Sequence, residues 1–239
     1  MPTRLDFDEI RALAGAVYAE VQEEPKQVQR KRMCDWFEEM LIDAYIAGLE
    51  TTGLPIDPVF DPETANRILH KEINGETYVD RLITHIENGD VGRIENLAES
   101  ESHRVSEAGA YETARQCQET LDAQDAQQRE RNASQVGRDA GRGAGRETGS
   151  PVTVYPQSGA QYRPTNAYQR RSNAPLVEKV WATMEDERVR ETHSFLDGVG
   201  VPLDTLFFTI DGDSARYPGD FTKAENNTNC RCTLTYRVR

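Results

Sequence analysis

The sequence predicts a mixed α+β protein with an N-terminal helical region, an extended arm rich in arginine and glycine, and a small C-terminal α+β domain. Apolar residues recur at helical spacing through most of residues 1–128. The composition shifts to Gly, Ser, Asn, Gln, Pro and Arg over residues 129–175, and short alternating patterns typical of strands follow over residues 176–239. These three ranges are the expected domains, the second of them as a flexible basic linker or arm.

The composition argues against a single compact globule built from the whole chain. Hydrophobic residues make up 37% of the 239 residues, and the mean hydropathy is −0.72. The sequence has no run of eighteen apolar residues, which argues against a membrane span. The acidic start, MPTRLDFDEI, is unlike a secretory signal, so we expect the protein to act in the cytoplasm where it is made.

The net charge of −13 is unevenly distributed. Residues 1–128 hold 27 acidic against 12 basic residues, a balance of −15. Residues 129–175 hold eight arginines against three acids, and residues 176–239 hold eight basic against eleven acidic residues. An acidic body with one basic segment argues against a duplex-binding surface over the whole protein and leaves one local contact with nucleic acid or an acidic partner.

Five helices are expected in the N-terminal region. They cover residues 7–23, the segment from Pro25 to Gly53, a short stretch after Asp61-Pro62, Glu76 to Asn88, and Val91 to about Gln127. The second carries a wide apolar stripe formed by Met33, Trp36, Phe37, Met40, Leu41, Tyr45 and Leu49. Packing of helix against helix explains such stripes, but we also expect the part around Trp36, Phe37 and Tyr45 to be exposed and to dock on a partner.

The arm combines arginines with three tyrosines and has almost no apolar periodicity. Arginine with interleaved aromatic residues can bind phosphates or single strands. A solvated linker and a contact with an acidic protein surface remain open beside nucleic-acid binding. The candidate partner-binding residues of the arm are Arg138, Arg142, Arg146, Arg170 and Arg171.

The C-terminal range alternates strand and helix signals. We expect a strand around Val180–Thr183, a helix from Asp186 to Leu196 ended by Gly198, a strand from Thr205 to Ile210, a turn at Asp211–Asp213, and a terminal strand from Cys232 to Val238.

The same range contains an ordered series of uncommon residues. They are a Trp on a strand, an acid followed by R-x-x-H, a D-G turn, a P-L and aromatic run, P-G-D and N-C-R-C: Trp181, Asp186, Arg190, His193, Asp197, Gly198, Pro202, Leu203, Phe207, Pro218, Gly219, Asp220, Asn229, Cys230, Arg231 and Cys232. Their order and spacing resemble those of the phage Mu F-like minor head proteins, also called the phage head morphogenesis family. Upstream, residues 98–104, AESESHR, are similar to that family's A-R-T-E-like helical motif, with Glu99 in place of the usual Arg. Residues from about 117 to 175 form an apparent insertion between the two blocks.

The resemblance implies a structural role in the virion. Relatives are minor capsid components at or near the portal vertex, which assist head assembly and DNA packaging or delivery. The implied partners are the portal protein and the major capsid protein, with packaged DNA as a partner of the arm, and the implied location is the phage head after synthesis in the host cytoplasm. No enzyme is expected; a DNA-binding packaging or ejection protein and a metal-dependent nuclease stay as alternatives.

The polar residues of the C-terminal pattern allow two interpretations. His193, Cys230 and Cys232 could supply three zinc ligands, with Asp197 or water as the fourth. We favour the alternative of buried polar contacts without a firm metal or cofactor, in which the cysteines are small core residues and His193 binds a backbone carbonyl. Arg231 would then pair with Asp186 or Asp197. The chain has no H-E-x-x-H, P-loop or G-x-S-x-G motif that would predict catalysis.

Overall fold

The computed structural model describes residues 6–143 and 176–239, without the side chains of residues 136–143. The N-terminal helices are α1 (Phe7–Val21), α2 (Lys26–Glu50), α3 (Pro62–Leu69), α4 (Tyr78–Asn88) and α5 (Val91–Gly143). The C-terminal elements are β1 (Val177–Ala182), α6 (Glu191–Ser194), β2 (Gly200–Pro202), β3 (Phe207–Phe208), β4 (Ser214–Ala215), α7 (Ala224–Asn227) and β5 (Thr233–Val238). The predicted α+β class is confirmed. None of the helices in these ranges is both long enough and apolar enough to cross a membrane.

Side chains at the helix starts explain where α1, α3 and α4 begin. The Asp6 carboxylate accepts hydrogen bonds from the first free backbone amides of α1, and Asp61 does the same for α3, in front of Pro62. Thr77 and Asp80 form a reciprocal capping box at α4. These caps satisfy backbone donors that have no partner within the helix.

The structure corrects the predicted end of the long helix. α5 continues past Gln127 to Gly143, so the first part of the expected arm is helical. The stretch begins with strong helix formers, residues 128–131 (QRER), and Arg129 pairs with Asp125 one turn earlier at 2.7 Å. The side chains of Arg138 and Arg142, and all of Arg146, Arg170 and Arg171, lie outside the described residues.

Two elements of the C-terminal range are shorter than predicted. The helix expected from Asp186 reduces to α6, because the Asp186 side chain accepts from the backbone of Arg188 and holds this segment in a turn. The strand expected from Thr205 reduces to β3, because Thr209 and Asp213 bond across the following turn. Gly212 provides the left-handed residue of that turn, with a φ of +79°.

Two antiparallel sheets organise the C-terminal elements. The larger has the order β2-β1-β5, so β1 is central and pairs with both neighbours. Trp181 on β1 lies opposite Leu234 on β5, and the smaller sheet pairs β3 with β4. The register carries the side chain of Trp181 into the core of this part.

Of the described residues, 6–118 and 176–239 belong to one compact unit, and 119–143 belong to a second. The first unit has two apolar clusters. One is built from α1 to α4 and the start of α5; the other surrounds Trp181 and includes Ala108 from α5. The chain leaves this unit and returns at one place, since the backbone amide of Val177 donates to the Gln118 side chain at 2.7 Å.

The prediction that the apolar stripe on α2 is exposed and docks on a partner is wrong. Phe37 and Tyr45 are fully buried. Trp36 is half-buried and packs edge-to-face on Phe37, with 5.4 Å between the ring centres. The reason is that α1, α3 and α4 all pack against α2 and cover its apolar stripe. The stripe is therefore the core of the helical part.

Close contact between α2 and α5 depends on two glycines. A Cβ on Gly109 would overlap the backbone oxygen of Tyr45 and stand 3.2 Å from the Leu49 nitrogen. A Cβ on Gly48 would overlap the backbone oxygen of Ser106. Since the atoms met are backbone, neither helix can yield by turning a side chain.

We expect Gly109→Ala to lower the free energy of unfolding by about 1–3 kcal/mol, the usual effect of overpacking, although alanine is the better helix former. Gly92→Ala on the same helix is the control, because a Cβ there meets only the Asp90 side chain at 3.9 Å. Urea unfolding of both variants measures the difference. Equal stability of the two variants would contradict the close helix contact.

Candidate functional site

One face of α5 carries buried polar side chains that bind the C-terminal elements. This α5 polar face consists of Glu101, His103, Arg104 and Glu107, all buried. His103 Nε2 lies 2.8 Å from the backbone oxygen of Cys232, and Glu107 accepts from the backbone amide of Leu234 at 3.0 Å. These two bonds attach the start of β5 to the helix.

An ion-pair network lies at the centre of the α5 polar face. Glu101 accepts from Arg81 and from Arg104, each at 2.8 Å. Burial alone would raise the pKa of the Glu101 carboxyl, but the two guanidinium groups outweigh it and hold that pKa below its ordinary value. Arg104 also donates to the backbone oxygens of Ile68 and Leu69, at the end of α3.

The P-G-D segment meets this network directly. Gly219 has a φ of +86°, and a Cβ there would stand 2.7 Å from Cγ of Arg104. The next residue, Asp220, binds Lys71 Nζ at 2.6 Å and Arg216 Nε at 2.9 Å. Burial would raise the pKa of Asp220, but hydrogen bonds from Arg216 and Lys71 lower it below its ordinary value.

Lys179 is a buried cation on the central strand β1. Its Nζ donates to the backbone oxygen of Arg216 at 2.8 Å and lies 5.0 Å from the ring centre of Tyr111 and 5.1 Å from that of Phe207. Burial is the main cause that lowers its pKa to about 7.

His193, Cys230 and Cys232 converge in the apolar core of the C-terminal elements. Nδ1 of His193 lies 3.6 Å from Sγ of both cysteines, and the candidate ligand atoms are within 4.8 Å of one another. The His193 ring stacks on Phe221 at 5.0 Å and meets the edge of Trp181 at 5.9 Å. All three ligand residues are buried.

The two thiols of this cluster differ in acidity. Hydrogen bonding between the cysteines lowers the pKa of Cys232, helped by His193, and raises that of Cys230, to which burial adds. The Cys230 thiol thus retains its proton and donates it in a hydrogen bond to the Cys232 sulfur. Thiolate character therefore concentrates on Cys232.

The other polar residues of the pattern hold turns together. Arg231 binds both carboxylate oxygens of Asp186 at 2.6 and 2.8 Å, which is one of the two pairings that the sequence offered. Asp197 instead accepts from the backbone amide and hydroxyl of Thr183 at 2.7 and 2.9 Å. Arg190 donates to the backbone oxygen of Thr228, and Asp186 lies outside the shortened helix α6.

The expected bond from His193 to a backbone carbonyl does not form. Nδ1 faces the two sulfurs, and Nε2 has no hydrogen-bond partner within residues 6–143 and 176–239. Two further residues of the pattern contribute through their backbone conformation. Gly198 and Asn229 adopt positive φ values of +70° and +52°. Pro218 lies in the buried segment between Tyr217 and Gly219.

The D-G-D turn contains a buried acid that the sequence did not single out as a bonding centre. Asp213 accepts from the Thr222 hydroxyl at 2.6 Å, the Asn226 amide at 3.0 Å and the backbone amides of Ser214 and Lys223. Burial opposes ionisation, but these donors lower its pKa well below the ordinary value. Asp213 thereby ties the β3–β4 turn to α7.

Sequence reasoning also missed Arg81, Glu107 and Lys179. The sequence does contain a signal for Glu107. It lies six residues after Glu101 among small apolar residues, which indicates a buried face of α5. Arg81 and Lys179 carry no such signal, because their partners lie far away in the sequence.

Comparisons with known proteins agree with the C-terminal pattern. A family model described as Phage Mu protein F like protein matches residues 151–235. Minor head protein GP7 of Bacillus phage SPP1 is 37% identical over 62 residues, which are 26% of this chain and 20% of that protein. NAD(+)--arginine ADP-ribosyltransferase EFV of Enterococcus faecalis is 44% identical over 57 residues, 24% of this chain and 12% of that protein. The chain thus spans a fifth or less of these two relatives, and no solved structure matches it significantly.

We expect Glu101→Gln to destabilise the protein by about 3 kcal/mol, because it leaves the buried guanidinium group of Arg104 and the half-buried one of Arg81 without their anion. The control is Glu99→Gln on the same helix, whose carboxylate pairs with Arg11 at 3.5 Å near the surface. Such exposed pairs contribute at most about 1 kcal/mol. Chemical denaturation that finds the two variants equally stable would show that the Glu101 network does not hold the unit together.

Because the pKa of Lys179 is lowered in the folded protein, we expect the free energy of unfolding to depend on pH. Its folded pKa is about 7 against an ordinary value of 10.5, so between these values the unfolded chain binds more protons. The free energy of unfolding should therefore rise with pH across this window and be insensitive to Lys179 below it. Lys179→Met should remove this rise, by up to about 1.4 kcal/mol per pH unit. Lys31→Met is the control, because Lys31 is exposed on α2; urea unfolding at several pH values that shows the same slope for both variants would refute the shift.

Proposed function

We propose that the protein is a minor structural component of a phage head, because the family model described as Phage Mu protein F like protein matches residues 151–235. Minor head protein GP7 of Bacillus phage SPP1 supports this proposal, because it is 37% identical to this chain over 62 residues. The chain matches only part of that relative, so the role of the whole chain is inferred.

The contacts of the residues that resemble the family support a structural role. The acids Asp186, Asp197 and Asp220 each bind a cation or backbone and hydroxyl donors at hydrogen-bond distance. Trp181 is the centre of a core, and Gly219 makes room for Arg104. Residues engaged in this way stabilise a fold and leave no pair of acids free to act on a substrate.

The similarity to an arginine ADP-ribosyltransferase fits the same proposal. The matched stretch is 12% of that enzyme, so it is too short to carry the enzyme's activity by itself. We attribute the similarity to a shared structural segment of the kind described above, and we propose no transferase activity for this chain.

The finer proposal places the protein at or near the portal vertex, with the portal protein and the major capsid protein as partners. The charge distribution supports contact through residues 129–175: this segment is basic, whereas residues 1–128 carry −15. Arg129 and Arg131 are exposed on α5. They are available to an acidic surface of a head protein, and the attraction would weaken with salt.

DNA is the second candidate partner of this basic segment, in packaging or delivery. The observation in its favour is the same excess of arginine over acid, five charges within 47 positions. The strongly acidic remainder of the chain repels a duplex, so such a contact would be local and salt-dependent.

Heads assembled from the encoding phage or prophage should contain this chain at a copy number close to that of the portal protein and far below that of the major capsid protein. Quantitative mass spectrometry of gradient-purified heads measures this ratio. Heads that assemble and package normally without the chain, and never incorporate it, would refute the proposal.

The same heads separate the two candidate partners of the arm. A variant with glutamine at Arg138, Arg142, Arg146, Arg170 and Arg171 should lose incorporation if the arm binds a head protein. If the arm binds DNA, that variant should enter heads but package or deliver less DNA. A variant with glutamine at Arg4, Arg11, Arg30, Arg32 and Arg93 removes the same number of charges outside the arm and serves as the control in both cases.

A further inference from the structure

Three potential metal ligands from two distant segments meet in one buried place. His193 comes from α6, and Cys230 and Cys232 come from the segment that leads into β5. A single atom, Nδ1 of His193, lies 3.6 Å from both sulfurs. No carboxylate in the described part of the chain joins this group.

The spacing fits one ion at the centre of a tetrahedron. Zinc binds sulfur at about 2.3 Å and imidazole nitrogen at about 2.0–2.1 Å, so tetrahedral angles put a nitrogen and a sulfur ligand about 3.5–3.6 Å apart. Both distances from Nδ1 to sulfur have this value. An ordinary hydrogen bond explains one of them, but a single ring nitrogen carries at most one proton or one lone pair for two sulfurs.

We propose that His193, Cys230 and Cys232 bind a Zn²⁺ ion, with a water molecule as the fourth ligand. Binding of the ion displaces the thiol proton of Cys230 to solvent. The two thiolates then neutralise the ion, so the complex brings no net charge into the apolar surroundings of Trp181 and Phe221. Thiolate and imidazole ligands select zinc over magnesium or calcium, which prefer oxygen.

A small cavity beside the cluster supplies the fourth position. It is lined by Arg188, Val189, Arg190, Asn229 and Arg231 as well as by the three ligand residues, and it has room for about one water molecule. Asp197, the protein ligand that the sequence offered, is held by Thr183 instead. Water is therefore the fourth ligand.

The ion would fasten the end of the chain to the rest of the C-terminal core. It connects α6 to the segment before β5, which is also held by the bond between His103 and the backbone oxygen of Cys232 and by the pairing of Arg231 with Asp186. Because Nε2 of His193 has no partner in the described part of the chain, no second hydrogen bond fixes the ring from behind. We therefore expect weaker binding than in zinc sites with four protein ligands and a complete outer shell of hydrogen bonds.

The test uses the full chain, purified in reducing buffer without metal-affinity steps. Elemental analysis should find one zinc ion per chain in the wild type and in Cys117→Ser, the matched control with a buried thiol elsewhere on α5. Cys230→Ser and Cys232→Ser should each lose at least tenfold in zinc occupancy. Chelation should lower the melting temperature of the wild type, and added ZnCl₂ should restore it in a concentration-dependent way.

Cobalt replacement covers the case in which the serine variants do not fold. The wild type loaded with Co²⁺ should show the thiolate-to-cobalt charge-transfer band in the near ultraviolet, and its absence would overturn the site. Equal zinc in the wild type and in Cys230→Ser would also overturn it, as would a folded wild type whose melting temperature ignores ZnCl₂ or whose two cysteines form a disulfide. None of these results bears on whether the chain enters heads, so the two proposals fail separately.

Discussion

The buried ion-pair network of Glu101 with Arg81 and Arg104 is the interaction on which the rest of the compact unit depends. It lies where α4, α5, the end of α3 and the P-G-D segment meet. A buried carboxylate of this kind is tolerated only when it is paired with a cation, because an unpaired buried charge costs several kcal/mol. The network therefore demands one relative placement of these elements.

That demand explains why residues 98–104 and the C-terminal elements, which are far apart in the sequence, belong to one structure. The upstream block contributes Glu101, His103 and Arg104, and the downstream block contributes Gly219 and the backbone oxygen of Cys232. Neither block satisfies its buried polar groups alone. The insertion is compatible with this arrangement because the chain leaves at Gln118 and returns at Val177, which are joined by a hydrogen bond.

The polar residues of the C-terminal elements fall into two groups with different roles. Asp186, Asp197, Asp213 and Asp220 satisfy backbone amides and cations within turns, which small domains with short strands need in order to have one defined conformation. His193, Cys230 and Cys232 are the exception, because they face one another across the core instead of a backbone partner. This difference is what turned a set of residues that the sequence favoured as core-filling into a proposed zinc site.

The sequence alone determined the α+β class, the helices that begin near residues 7, 26 and 62, the strand at Trp181 and the similarity of the C-terminal part to Phage Mu protein F like proteins, because caps, periodicity and ordered rare residues are local signals. Tertiary structure decided the rest. The stripe of Phe37 and Tyr45 has the same periodicity whether a partner protein or α1, α3 and α4 cover it, and only the packing showed that the covering helices belong to this chain. Likewise, the partners of Glu101, Lys179 and His193 are brought to them by the fold across long stretches of sequence, where no spacing rule operates.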